Sequence, residues 1–325
     1  SSYLDLSVIH SNQNAIRLYE RLKFRRINVF AIKNKNSYNE PLFIGEQPQE
    51  RLNPYSRIII REALRRGISV DVLDAEAGFF KLSFGGRSIT CRESLSELTT
   101  SIAMSRCDDK AVTSRILKHA NLRVPAQVRY REEAQARRFL DEFGSLVVKP
   151  ARGEQGAGIS VDVRDHEALK AAVEEAKKYC DVVLLEEFVS GTDLRIIVIN
   201  GEVVAAATRE PPSIQGTGQA TIRELIKKQS RRREAATDGE SSIPIDRETE
   251  RCVQEAGREL EDVLPYGESL TVRKTANLHT GGTIHDVTDR LHPTLSQAAV
   301  RAADAINIPV TGLDFIVTDP GKEDY

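Results

Sequence analysis

The chain has only four cysteines, Cys91, Cys107, Cys180 and Cys252, widely separated and without a C-x-x-C pair. That scarcity argues against a disulfide framework and against a thiolate metal cage, so a reducing cytosol is the expected setting. Long hydrophobic runs are also missing: no apolar stretch approaches the ~18 residues that a spanning helix needs. Nor is there an excess of one charge. Forty-six basic residues balance 48 acidic ones, a net of -2, so no global field advertises a nucleic-acid or membrane partner and any anion site must be local. There is no initiator methionine, no basic segment followed by an apolar one, and no internal repeat. The start is therefore expected to be a cut and not a targeting signal.

What is present is a globular composition, 40% hydrophobic and 29% charged over 325 residues, enough for two or three compact units. Residues 1–44 pattern as a strand (Leu4, Leu6, Val8), an amphipathic helix from Asn14 to Leu22 and a strand from Ile27 to Ile32. A polar linker follows, and Asn53-Pro54 caps a helix that stops at Gly67. The spacing then predicts a strand from Ile68 to Leu73 and a hairpin around Gly85-Gly86, which with the linker makes a small α/β lobe over 45–107. From 108 to 325 helices alternate with antiparallel hairpins, the latter signalled most clearly by Asn200-Gly201. That mixture predicts an α+β domain over a doubly wound sheet. Gln219 to Asp246, rich in charge and containing Arg231-Arg232-Arg233, is expected to hold a mobile loop with solvated arginines.

The segment carrying most chemistry runs from Leu146 to Val163. Gly153, Gly156 and Gly158, with Gln155 between them, separate two β-type runs, so backbone N–H groups there can approach phosphate oxygens. Lys149 enters from the first strand. There is no G-x-x-x-x-G-K-[ST], and the glycines precede alternating Ile159, Val161 and Val163 where a dinucleotide fingerprint would open a helix. A hairpin flap over phosphates and an ordinary glycine turn both fit. Glu186, Glu187, Phe188 and Val189 end the next apolar strand. They offer backbone groups to an adenine ring and a carboxylate to its amino group, with Asp193 for ribose hydroxyls. Singly, each acid is more often surface. Arg273 and Lys274, with Asn277 beside Gly281-Gly282, are placed to neutralise a phosphoryl group in transfer, with a surface ion pair as the plainer reading. Asp314, a lone carboxylate in the apolar strand Val310 to Val317, needs its charge offset, and Mg²⁺ is the natural partner. A rival zinc site from His279, His285 and His292 with Asp286 and Asp289 matches no helical or finger spacing.

With these motifs assembled, the chain from about Asp108 onward resembles the ATP-grasp domain of cyanophycin synthetases. The matches are Cys107-Asp108-Asp109-Lys110, the Lys149 strand and flap, Gly191-Thr192-Asp193-Leu194-Arg195, Asn200-Gly201, Thr275-Ala276-Asn277-Leu278 with Thr280-Gly281-Gly282-Thr283, and Asp286-Val287-Thr288-Asp289. The resemblance implies an ATP-grasp fold, two α+β subdomains clasping ATP. It also implies Lys110 and Lys149 on ATP phosphates, Glu186 and Asp193 on the nucleoside, Arg273 and Asn277 at the phosphoryl group, and Mg²⁺ on Asp314. Asn12-Gln13-Asn14-Ala15 with Leu18-Tyr19-Glu20 resembles the end of a GNAT acetyltransferase. That implies, for a full-length parent protein, acetyl-CoA as a further cofactor, touched by Asn12, and Tyr19 as the acid for the departing thiolate. An ordinary amphipathic helix is the plainer reading there. The fused arrangement is similar to the N-acetylglutaminylglutamine synthetase family, cytoplasmic ligases whose partners are small amino-acid substrates, with no nucleic acid or membrane. Other amino-acid ligases, or an acetyltransferase with a non-catalytic nucleotide module, are the alternatives. The family's closing strand, with Glu and Asn metal ligands, is absent before Tyr325, so a cut at both ends and weak Mg·ATP binding are expected.

Overall fold

The computed structural model describes residues 12–24, 52–153, 157–237 and 239–325, and divides into two compact units, 1–97 and 98–325. In the first unit, helix α1 (Gln13–Arg21) begins where the Asn12 carbonyl side chain accepts from the Ala15 N–H. The strands expected at Leu4 to Val8 and Ile27 to Ile32 lie outside the described residues. Helix α2 (Pro54–Arg65) is capped by Asn53, and its Ile60 packs on Phe80 and Cys91. These come from the antiparallel sheet β1 (Ser69–Asp74), β2 (Phe79–Phe84), β3 (Arg87–Arg92) and β4 (Leu95–Ser96).

The second unit opens with α3 (Ser101–Asp108) and α4 (Lys110–His119). A first antiparallel sheet, in the order β5-β8-β6-β7, is built from β5 (Gln127–Arg129), β6 (Leu146–Pro150), β7 (Ser160–Val163) and β8 (Val183–Glu187). Helices α5 (Glu133–Phe143) and α6 (His166–Lys177) supply Phe139, Leu140, Leu169 and Val173 to its core. A second sheet, in the order β13-β10-β9-β14, comprises β9 (Thr192–Ile199), β10 (Glu202–Glu210), β13 (Thr283–Asp286) and β14 (Val310–Val317). Along β9, Leu194, Ile196 and Val198 are buried toward α9 (Pro293–Ile306). By strand alternation, Asp193 and Arg195 take the other face. A single pairing rule thus covers the core and exposes a charged face.

Between β10 and β13 in the chain, β11 (Ser213–Gln215) pairs with β12 (Ser269–Thr271), backed by α7 (Ile222–Ala236) and α8 (Arg247–Glu255). Within Gln219 to Asp246, where a mobile loop is expected, residues Ile222–Ala236 form a fifteen-residue helix. Thr221 and Glu224 form a reciprocal capping box, and Ile222, Leu225, Ile226 and Ser230 repeat at helical spacing on the buried face. The arginine run obscures that period because two of its three members decorate the outer face. Arg233 alone turns inward and donates to the Gly282 carbonyl. Gly216 sits where a Cβ would stand 1.9 Å from the Pro265 carbonyl oxygen, a backbone atom that cannot swing away. Gly216→Ala is therefore expected to cost about 1–3 kcal/mol, as overpacking does, read as a lower urea midpoint.

Candidate functional site

Two charged clusters in the second unit face chemistry. The first lies on the β6–β8 pair. Lys149 Nζ is 2.6 Å from Glu186 Oε1, with both side chains largely buried, and Gln127 Nε2 donates to Glu186 Oε2 at 2.7 Å. Lys110, the first residue of α4, donates from Nζ to the Gly153 carbonyl at 2.9 Å, at the mouth of the glycine loop. Burial, and then the charge of Lys149 nearby, push the Lys110 ammonium below its ordinary range. Lys110 at the glycine loop, with Lys149 held nearby on Glu186, fits a polyanion, which would relieve the repulsion between the two ammonium groups. Gly153 and Gly158 hold positive φ, and Tyr179 packs where a Cβ on Gly158 would stand. Gln155 and Gly156 lie outside the described residues. Glu187 accepts from the Ala126 N–H, the Phe188 N–H donates to the Ser145 carbonyl, and Val189 is exposed at the turn into β9.

The second cluster lies on the charged face of the other sheet. Antiparallel register pairs Asp193 with Arg209 and Arg195 with Asp314. Arg209 Nη2 stands 2.7 Å from Asp193 Oδ1 and 2.8 Å from Asp314 Oδ1, and Arg195 Nη1 reaches the same Asp314 oxygen at 2.8 Å. Burial pushes the Asp193 carboxyl up, and Arg209 works against that shift. Among the described residues no three His, Cys, Asp or Glu side chains gather to hold a metal. Mg²⁺ fits Asp314 only as such ions are often held, by one or two carboxylates together with substrate phosphates. Arg195 and Arg209 were not reached as site residues from the sequence. The available signal was a single arginine in each of two paired strands rich in Ile, Val and Ala.

Gly312 completes this cluster. A Cβ there would meet the Arg195 guanidinium at 2.4 Å, so the bare backbone is what lets that side chain lie across β14 onto Asp314. The obstructed atoms are the flexible end of the arginine. Gly312→Ala is therefore expected to leave the melting temperature within a few degrees while lowering turnover about 10-fold or more, since misplaced charge costs catalysis before it costs folding.

The remaining candidates are distributed otherwise. Arg273 is 8% exposed, with Nη1 donating to Asp246 Oδ1 at 2.6 Å and to Thr249 Oγ1 at 2.9 Å. Lys274 lies between Asp162 Oδ2 at 3.2 Å and Glu255 Oε2 at 2.8 Å. Both cations are thus already matched by protein carboxylates. Asn277 shapes the tight turn beside Gly282, accepting from the His279 N–H through its side chain and from the Gly282 N–H through its carbonyl. The histidines of the rival zinc site have separate partners: His279 the Glu240 carbonyl, His285 the Glu210 carboxylate, and His292 the Thr294 N–H as a helix cap. In the first unit, Tyr19 stacks edge-on against Phe24 at 5.7 Å.

Residues 107–215 match the RimK-like ATP-grasp domain. The chain is 32% identical over 273 residues to a cyanophycin synthetase of Trichormus variabilis, covering 82% of this chain and 30% of that protein. It is 29% identical over 287 residues to the glutathione biosynthesis bifunctional protein GshAB of Clostridium perfringens, covering 84% of this chain and 36% of that one. The chain spans about a third of the length of the curated relatives it matches. Among solved structures, a bifunctional glutathione synthetase from Pasteurella multocida superposes with a TM-score of 0.56 at 22% identity, over 83% of this chain and 38% of that one.

Proposed function

We propose that this chain, whose fold is ATP-grasp and whose residues 107–215 are a RimK-like ATP-grasp domain, is the nucleotide-binding part of an ATP-dependent carboxylate–amine ligase. The observation that carries the reading is the Lys110–Lys149 cation pair at the glycine loop, in one unit with the Arg195–Arg209–Asp314 cluster. Lys110, Lys149 and the loop hold the triphosphate. The Glu187–Val189 backbone takes the adenine edge. Asp193, paired with Arg209, takes ribose hydroxyls. Asp314 would hold Mg²⁺ against the phosphates, and the ion would supply neutralisation of developing phosphoryl charge.

In the reaction, a substrate carboxylate oxygen attacks the γ-phosphorus and ADP leaves, giving an acyl phosphate. An amine then attacks the acyl carbon, phosphate leaves, and an amide remains. Arg195 and Arg209 stabilise the oxygens on which charge grows, and positioning supplies the rest. The finer reading is that the carboxylate belongs to an N-acetylated glutamine and the amine to a second glutamine. Acetyl transfer from acetyl-CoA, through Asn12 and Tyr19, would precede ligation. It is supported by the sequence motifs of residues 8–24. The test measures ADP release with carboxylate, amine, both or neither. Release requiring both, with amide formed one for one, is expected; release with neither makes the protein a plain ATPase and ends the ligase reading. In a full-length parent protein, Tyr19→Phe separates the acetyl step, since it should abolish acetylation and leave ligation of a pre-acetylated substrate intact.

A further inference from the structure

Arg273 and Lys274, adjacent in sequence, grip helix α8 at opposite ends. Arg273 reaches Asp246, the residue capping its N-terminus, and Lys274 reaches Glu255, its last residue. One dipeptide thus reaches both ends of a nine-residue helix. Lys274 then goes further. Its ammonium also meets Asp162 on β7, the strand that descends from the glycine loop and belongs to the first sheet's core, whereas α8 belongs to the separate core around β11 and β12.

Asp162 is itself unusual. It holds φ 61° inside a strand, a left-handed conformation that a non-glycine residue keeps only when its surroundings fix it. Ser145 Oγ and Arg164 Nε, each at 2.7 Å, donate to its Oδ1, leaving Oδ2 for Lys274. Both Asp162 carboxylate oxygens are thus engaged by protein donors.

We infer that Asp162, Lys274 and Glu255 form a clasp that ties strand β7 to helix α8, so that Lys274 is a positioning residue for the nucleotide cleft and not a ligand of the phosphoryl group. The part of the inference that concerns nucleotide release rests on the ligase reading above; the clasp itself does not. Rupture of the clasp frees β7, the strand that follows the glycine loop in the chain, from helix α8. Nucleotide then leaves faster, while its arrival is little changed.

The test compares Lys274→Met, Asp162→Asn and the double variant, with Glu255→Gln as a surface change that cuts one leg only. Asn adopts the left-handed conformation as readily as Asp, so Asp162→Asn keeps the backbone. In the nucleotide-free protein, amide exchange over residues 157–163 should quicken about five- to tenfold in each single variant. The double variant should add nothing, because both remove one interaction. Stopped flow with a fluorescent ATP analogue should show dissociation faster by a similar factor. High salt should narrow the difference from wild type. Unchanged exchange, or additive single effects, overturns the clasp. Lost phosphoryl transfer with unchanged exchange and dissociation overturns it too, and returns Lys274 to the reacting group. If the wild-type protein bound no Mg·ATP, the ligase reading would fail while the exchange measurement still decided the clasp.

Discussion

Lys149→Met is expected to abolish saturable ATP binding and to lower stability at the same time. The lysine does two things. It supplies one of the two cations at the glycine loop, and it neutralises Glu186, whose side chain is 16% exposed. Its removal leaves the carboxylate with Gln127 alone, and stripping one partner from a buried pair costs roughly 3–5 kcal/mol. The two effects separate in the double variant Lys149→Met with Glu186→Gln. That change removes the stranded charge, so chemical denaturation should return most of the stability, whereas calorimetry should still find no ATP affinity. A double variant that regained ATP binding would show that the loop and Lys110 suffice, and would remove Lys149 from the phosphate site.

Asp314→Asn is expected to lower Mg²⁺-dependent turnover by at least about 10²–10³-fold, the scale on which a preorganised electrostatic partner acts. The substitution keeps size and hydrogen-bonding shape but takes away the negative charge on which Arg195 and Arg209 converge. Two guanidinium groups are then held together with only Asp193 to balance them. Because the Asp314 side chain is half exposed, water screens that imbalance and the fold should survive. The telling comparison is ATP affinity with and without Mg²⁺. Wild type should bind more tightly with the ion, and the variant should lose the difference. Equal metal dependence in both proteins would place the ion elsewhere.

Lys110 gives a pH signature for the same site. Its ammonium is depressed by burial and by Lys149, so the free protein pays for that buried charge at all pH values below the lowered pKa and is relieved above it. A bound polyanion reverses the preference. ATP affinity should thus fall as pH rises through that lowered range, earlier than for an unperturbed lysine, and Lys110→Arg should move the fall to higher pH.

The local devices were legible in the chain itself. Asn53-Pro54 announced α2 and Asn200-Gly201 turned β9 into β10. The glycines after Lys149 announced a loop between β6 and β7, and Val310 to Val317 formed a strand with Asp314 inside it. Each depends on φ, ψ and side-chain period within a few residues, which sequence encodes directly. Helix α7 was hidden because its charge outweighed its period, and the ion-pair partners of Arg273 and Lys274 were hidden because they lie elsewhere in the chain.

Sequence by itself determined the elements, the glycine loop and the kinds of charge available for nucleotide chemistry. Only the tertiary structure decided which charges meet. Arg209 finds Asp314 across 105 residues, and Lys274 finds Asp162 across 112. Strand register and the packing of separate cores set those encounters, and an ion pair carries no record of them in the residues on either side.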